Sequence, residues 1–183
     1  MHKDIKRCSK FLSFVLRHNP EQIQLKIDQQ GWVNVSDLLS RMQFSKKGIS
    51  QSLLEETVRR DDKQRFSFSD DGKRIRANQG HSRSVDLGLE EKKPPPILYH
   101  GTAKKNIDAI FKQGVNKMKR QYVHLSEKVE TARSVGIRYG EPVILEISSN
   151  IMYEEGFKFY CSKNRVWLTE EVPPKYLKAY SPN

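Results

Sequence analysis

The sequence predicts an α+β fold in two lobes, residues 1–93 and residues 94–183. Three observations carry this reading. Segments with apolar residues at helical spacing mix with short alternating segments in both halves. No GxGxxG or P-loop pattern occurs, so nothing marks a doubly wound nucleotide-binding sheet. Near the middle stands Glu90-Glu91-Lys92-Lys93-Pro94-Pro95-Pro96, charged residues followed by three prolines. Such a run reads as a stiff, extended spacer that neither a helix nor a central strand continues through.

In the first half, Ser9 to Leu16 has helical spacing, with Leu12, Val15 and Leu16 on one face. The helix should end before Asn19-Pro20, which leaves Arg17 and His18 in its last turn. Gly31-Trp32-Val33-Asn34-Val35 reads as a short strand, and Ser36 or Asp37 as the cap of a second helix. A third helix is expected from about Lys46 to Val58. Arg65 to Ser69 alternates, Asp70-Asp71-Gly72 turns, and Lys73 to Ala77 returns as a hairpin partner. Helices followed by a β-hairpin suggest a winged-helix lobe.

The second half reads as a strand at Ile97–Gly101, a helix from about Lys104 to Gln113 stopped by Gly114, and a strand at Tyr122–Leu125. A helix follows from about Glu127 to Ile137, then a buried strand at Pro142–Ile147 and a last one at Arg165–Leu168.

The formal net charge is +11, and the two halves carry +6 and +5 of it. A shared excess fits a polyanion lying along both halves, with RNA or DNA binding that weakens steeply in salt. Hydrophobic residues make up 36% of the chain. None of their runs approaches the roughly 18 apolar residues of a membrane span, and a charged start replaces any signal core. A soluble, cytoplasmic monomer is expected. Cys8 and Cys161 lack CxxC spacing, so reduced thiols are expected rather than a disulfide framework or thiolate metal site.

Four of the five histidines stand in loaded tetrads: Leu16-Arg17-His18-Asn19, Gln79-Gly80-His81-Ser82, Tyr99-His100-Gly101-Thr102 and Val123-His124-Leu125-Ser126. Guanidinium, hydroxyl and glycine neighbours suit phosphate and ribose recognition, through donors and close main-chain approach. The last two tetrads carry His-x-Ser/Thr at a predicted strand end. One reading is a two-histidine phosphoesterase with a general acid and base, although His100 and His124 are close in sequence for the halves of such a fold. The other is an NAD pocket of the ADP-ribosyltransferase type, in which His100 would bind the nicotinamide ribose and the Gly101 backbone the carboxamide.

Taken in order along nearly the full chain, these segments resemble the Tpt1/KptA family of RNA 2'-phosphotransferases. The likeness runs from Ser9-Lys10-Phe11-Leu12-Ser13-Phe14-Val15-Leu16-Arg17-His18 through Gly31-Trp32-Val33, Arg65-Phe66-Ser67 and Arg76-Ala77-Asn78-Gln79-Gly80-His81-Ser82. It continues with the His100 and His124 tetrads and Ala132-Arg133-Ser134-Val135-Gly136-Ile137-Arg138, and ends with Val166-Trp167-Leu168-Thr169. The resemblance implies a winged-helix-like lobe for the RNA 2'-phosphate and an ADP-ribosyltransferase-like lobe for NAD+. It also implies a reaction in which an internal 2'-phosphate, as left at a tRNA splice junction, passes to NAD+ through an ADP-ribosylated RNA.

By the same resemblance, Arg17, His18, Arg65 and Arg138 form the catalytic set. Arg17 and Arg65 would hold the RNA phosphate, and His18 would donate a proton or hold that phosphate. Arg138 would lie between that phosphate and the NAD+ pyrophosphate. His100, Gly101, Thr102, Ser126 and Arg133 are candidate NAD+ contacts. Lys10, Arg76, Gln79 and His81 are candidate RNA contacts, with Lys46 and Lys47 behind them. Arginine suits such work because its donors are fixed and always charged. No metal is expected, since no acidic cluster offers oxygen ligands.

Two departures stand out. Protein-modifying ADP-ribosyltransferases place a glutamate on a late strand, whereas that stretch here reads Asn164-Arg165-Val166-Trp167-Leu168. Tyr139 follows Arg138 where the family often has histidine. Two other functions remain open at this level: a transferase that stops at the ADP-ribosylated nucleic acid, and a non-catalytic binder that senses NAD+.

Overall fold

A computed structural model describes residues 2–44 and 48–181. The chain forms two compact units, Met1–Gly88 and Leu89–Asn183. Both mix helices with small, wholly antiparallel sheets, as an α+β fold requires.

In the first unit, α1 (His2–Arg17) turns its apolar stripe inward. Leu12, Val15 and Leu16 are fully buried against Leu38, Met42, Leu54 and Ile75. Pro20 opens a 3₁₀ turn, so the helix stops where the sequence says it must. Next come β1 (Val33–Asn34), α2 (Val35–Phe44), α3 (Gln51–Arg59), β2 (Phe66–Phe68) and β3 (Arg74–Ala77).

The expected five-residue strand at Gly31–Val35 shrinks to two residues, because α2 begins at Val35. The cap therefore moves to Asn34, the last extended residue. Its Oδ1 accepts from the backbone N–H of Ser36 at 2.9 Å and of Asp37 at 3.4 Å. The third helix starts later than expected, where Ser50 Oγ accepts from the Leu53 N–H. The part of that expectation on Lys46 and Lys47 lies outside the described residues. The hairpin pairs Phe66 with Ala77 and Phe68 with Ile75, and β3 runs between β1 and β2.

The second unit contains β4 (Leu98–Ala103), α4 (Ile107–Gln113), β5 (Val115–Asn116), β6 (Val123–Leu125), α5 (Val129–Gly136) and β7 (Pro142–Ile147). It ends with α6 (Ser149–Glu154), β8 (Tyr160–Cys161), β9 (Trp167–Thr169), β10 (Glu171–Val172) and β11 (Leu177–Ala179). One sheet has the order β11-β7-β4 and another β6-β9-β8, while β10 pairs with β5. Tyr99 of β4 and Ser126 exchange backbone hydrogen bonds of 2.8 and 2.9 Å, which joins the two larger sheets. The core beneath is built from Leu98, Leu145, Ile147, Met152 and Phe159.

The proline run lies along this unit. Lys92 N–H donates to Phe159 O at 2.8 Å, and Ser149 Oγ donates to Pro95 O at 2.6 Å. Helix α5 packs directly on β4, backbone to backbone. A Cβ added at Gly101 would stand 1.7 Å from Ala132 O, and one at Gly136 would stand 2.8 Å from Thr102 O. Only glycine permits that approach.

Candidate active-site residues

In the first unit, the segment Asn78–Ser82 gathers most of the expected phosphate-binding side chains. Arg17, the last residue of α1, lays its guanidinium against Gly80, whose φ of +89° favours glycine. The Arg17 carbonyl accepts from Ser82 N–H at 3.0 Å and Ser82 Oγ at 3.3 Å, which satisfies one orphan carbonyl of the helix end. His18 follows directly and is exposed.

Arg65 reaches the same segment from the hairpin, since its carbonyl accepts from Asn78 N–H at 2.8 Å. Asp61 holds it. The Asp61 side chain is 3% exposed; it pairs with the Arg65 guanidinium and accepts from the Arg65 N–H at 2.5 Å. A buried carboxylate leaves the guanidinium one orientation instead of many.

His81 is buried in the middle of the cations. Burial, then the charges of Arg17, His18, Arg76 and Arg83, push its pKa down to about 4, so the imidazole is neutral at pH 7. Neither ring nitrogen has a hydrogen-bond partner among the described residues. Gln79 is half-buried beside it. Arg76 stacks on Trp32 with its Cζ 4.4 Å from the ring centroid, and its Nη1 donates to Gln30 O at 3.2 Å. Lys10 is exposed on α1. Sequence reasoning missed Asp61 and Arg83. Asp61 was legible in part, because Asp at i and Arg at i+4 ahead of a strand can fold back on each other.

In the second unit, His100 stands third in the six-residue strand β4, not at a strand end as expected. His124 likewise occupies the middle of β6. The Nδ1 of His100 is 3.2 Å from His124 O, so with the proton on Nδ1 it donates there and Nε2 is left as an acceptor. Burial lowers the His100 pKa, the bond to His124 O opposes that, and the charge of Arg120 lowers it further. The ring is therefore neutral at pH 7.

Gly101 is adjacent, and its missing side chain has a clear reason: α5 occupies the space where a Cβ would be. Thr102 is buried, and its hydroxyl accepts from Asn106 Nδ2 at 3.2 Å. Ser126 is held by its backbone to Tyr99. Arg133 on α5 is exposed, as is Arg138 in the 3₁₀ turn after it. No hydrogen bond or ion pair holds Arg138 among the described residues. Arg120 is the cation whose charge reaches His100, and sequence reasoning passed over it. The available signal was the basic run Lys117-Met118-Lys119-Arg120 just ahead of the His124 tetrad. The late stretch Asn164–Leu168, which contains no glutamate, enters its strand at Trp167, so Val166 precedes β9.

Among the described residues no group of three or more His, Cys, Asp or Glu is placed to hold a metal ion, and no helix is long and apolar enough to cross a membrane.

Comparison with known proteins gives the family of the chain. The family model described as "RNA 2'-phosphotransferase, Tpt1 / KptA family" matches residues 3–171. A protein of Trichormus variabilis named "Probable RNA 2'-phosphotransferase" is 53% identical over 171 residues, covering 93% of this chain and 94% of its own. Proteins with the same name from Flavobacterium johnsoniae and Fusobacterium nucleatum are 51% and 48% identical. They cover 94% and 97% of this chain, and 95% and 99% of their own.

Proposed function

The chain belongs to the Tpt1/KptA family of RNA 2'-phosphotransferases, and we propose that it moves an internal RNA 2'-phosphate onto NAD+. An oxygen of the 2'-phosphate attacks C1'' of the nicotinamide ribose. The C1''–N bond breaks, and nicotinamide leaves with the electron pair. The ribose O2'' gives up its proton and attacks phosphorus, and the bond from phosphorus to the RNA O2' breaks. The RNA oxygen takes a proton, and ADP-ribose 1'',2''-cyclic phosphate departs.

The first unit supplies the phosphate chemistry in this reading. Arg17 against Gly80 and Arg65 on Asp61 are guanidinium groups set in place before any substrate arrives. Preorganised cations stabilise charge on non-bridging oxygens without reorganising during the reaction. His18, exposed at the end of α1, is the proton donor to the departing O2'. We read this unit as winged-helix-like, from its helices and its hairpin around a central β3.

The second unit is read as an ADP-ribosyltransferase-like holder of NAD+. The observation that carries this part is His100, neutral and with its Nδ1 turned to the His124 carbonyl. Its Nε2 is then an acceptor for a ribose hydroxyl. Arg120 supplies a cation near that ring, and Thr102, Ser126, Arg133 and Arg138 complete the proposed contacts. The scheme uses no metal, because guanidinium groups meet the phosphate charge, and we take the enzyme to act as a cytoplasmic monomer on tRNA-like RNA.

The test is product identification. Protein, NAD+ and an oligoribonucleotide with one internal 2'-phosphate are incubated without added metal, and the products are resolved by mass. The expected products are 2'-OH RNA, nicotinamide and ADP-ribose 1'',2''-cyclic phosphate. A stable ADP-ribosylated RNA would make the chain a one-step transferase. Unchanged RNA, with both substrates bound, would make it a binder.

A further inference from the structure

The small sheet of the first unit has one face in the core and one outside it. Val33, Ile75, Ala77 and Phe66 are buried on the inner side. Residues of β3 alternate, so Arg74 and Arg76 lie together on the outer side. The register brings Asn34 of β1 beside Arg74, and Ser67 of β2 beside Arg76. Trp32 joins them just ahead of β1, with the Cζ of Arg74 5.4 Å and that of Arg76 4.4 Å from its ring centroid.

This face is built, not accidental. Asp28 Oδ1 accepts from the backbone N–H of Gln30 at 2.9 Å and of Trp32 at 2.8 Å, which fixes the turn that presents the indole. Gly31 holds φ +82° within that turn. Gln30 O anchors Arg76, whose Nε is buried without a hydrogen-bond partner among the described residues. Arg74 is half-exposed, and its nearest carboxylate, Asp28, is 3.9 Å away.

One aromatic ring, two guanidinium groups over it at cation–π distance and small polar neighbours make a platform of a recognisable chemistry. Every base has a π-face to lay on an indole or a guanidinium, and every phosphate has an oxygen for Arg74. The geometry points to a second RNA contact on this outer face: a single-stranded nucleotide flanking the 2'-phosphorylated one stacks on Trp32 and Arg74, with its phosphate on Arg74. The inference rests on the reading of the chain as an enzyme acting on RNA. Arg76 then serves as part of this platform, held by Trp32 and Gln30.

Steady-state kinetics on two 2'-phosphorylated RNAs test it, a dinucleotide and a longer oligonucleotide with single-stranded flanks. Wild type should have the lower KM for the longer RNA. Arg74→Ala and Trp32→Ala should each shrink that length advantage about tenfold, the range expected when one base no longer stacks. Arg74→Ala should also flatten the salt dependence of the longer RNA's log KM, by about 0.7 for each phosphate left without its cation. Arg74 is exposed enough that its variant should fold, so a Trp32 variant that does not fold leaves the test intact. Wild-type turnover of both RNAs with an unchanged length advantage in Arg74→Ala would overturn the platform and favour a protein partner for this face. Turnover of neither RNA by wild type would overturn the functional reading beneath it.

Discussion

His81 has 1% of its surface exposed and four cationic or titratable neighbours, so the folded protein favours the neutral ring. Its pKa is about 4 in the folded state and about 6.5 when unfolded. The unfolded chain therefore binds the extra proton first as pH falls. Stability from this residue is complete above about pH 6.5 and is lost progressively down to about pH 4, by roughly 3 kcal/mol in all. Urea melts of wild type and His81→Gln across that window should show a shallower pH slope in the variant. Equal slopes would mean that His81 stays uncoupled from the cations around it. The same scale separates two arginines. Both are exposed, and the charge of Arg120 bears on His100 only after burial and the bond to His124 O. Arg138→Ala should lower kcat/KM by about a hundredfold or more, in the range for removal of a charge-stabilising donor, and Arg120→Ala by less. The reverse order would move the role to Arg120.

At the scale of elements, the packing of α5 on β4 depends on Gly101. The group that a new Cβ would meet is a backbone carbonyl, 1.7 Å away, which no side-chain rotation can relieve. Gly101→Ala should cost about 2–4 kcal/mol of stability, read from urea melts. Ala132→Gly should not rescue it, because the clashing oxygen belongs to the main chain. Rescue would show that the helix is free to slide. This packing also shows what the sequence could and could not reveal. Helix α1, the hairpin and β7 were legible because each carries a clear period and a clear stop. Helix α6 and strands β5, β8, β10 and β11 were not: α6 and β8 are too short to show a period, and β5, β10 and β11 are two- and three-residue strands paired with distant chain. Arg17, His18 and Arg65 stood out by their motifs. Asp61, which fixes Arg65, and Ala132, which explains Gly101, act through neighbours that periodicity does not encode. Asn34 took the cap because β1 and α2 follow one another with no residue between them.

For the molecule as a whole, the net charge of +11 is spread across both halves. Raising salt should therefore lift the KM for RNA steeply, by counterion competition at each phosphate the protein neutralises. NAD+ carries fewer charges, and its KM should move much less. Similar slopes for both substrates would mean that the basic surface plays no part in RNA binding. The central claim concerns where one phosphorus atom goes. An oligoribonucleotide labelled only at its internal 2'-phosphate settles this when incubated with and without NAD+. The label should leave the RNA only with NAD+ present and reappear in ADP-ribose 1'',2''-cyclic phosphate. Label released as inorganic phosphate, or leaving the RNA without NAD+, would contradict the account.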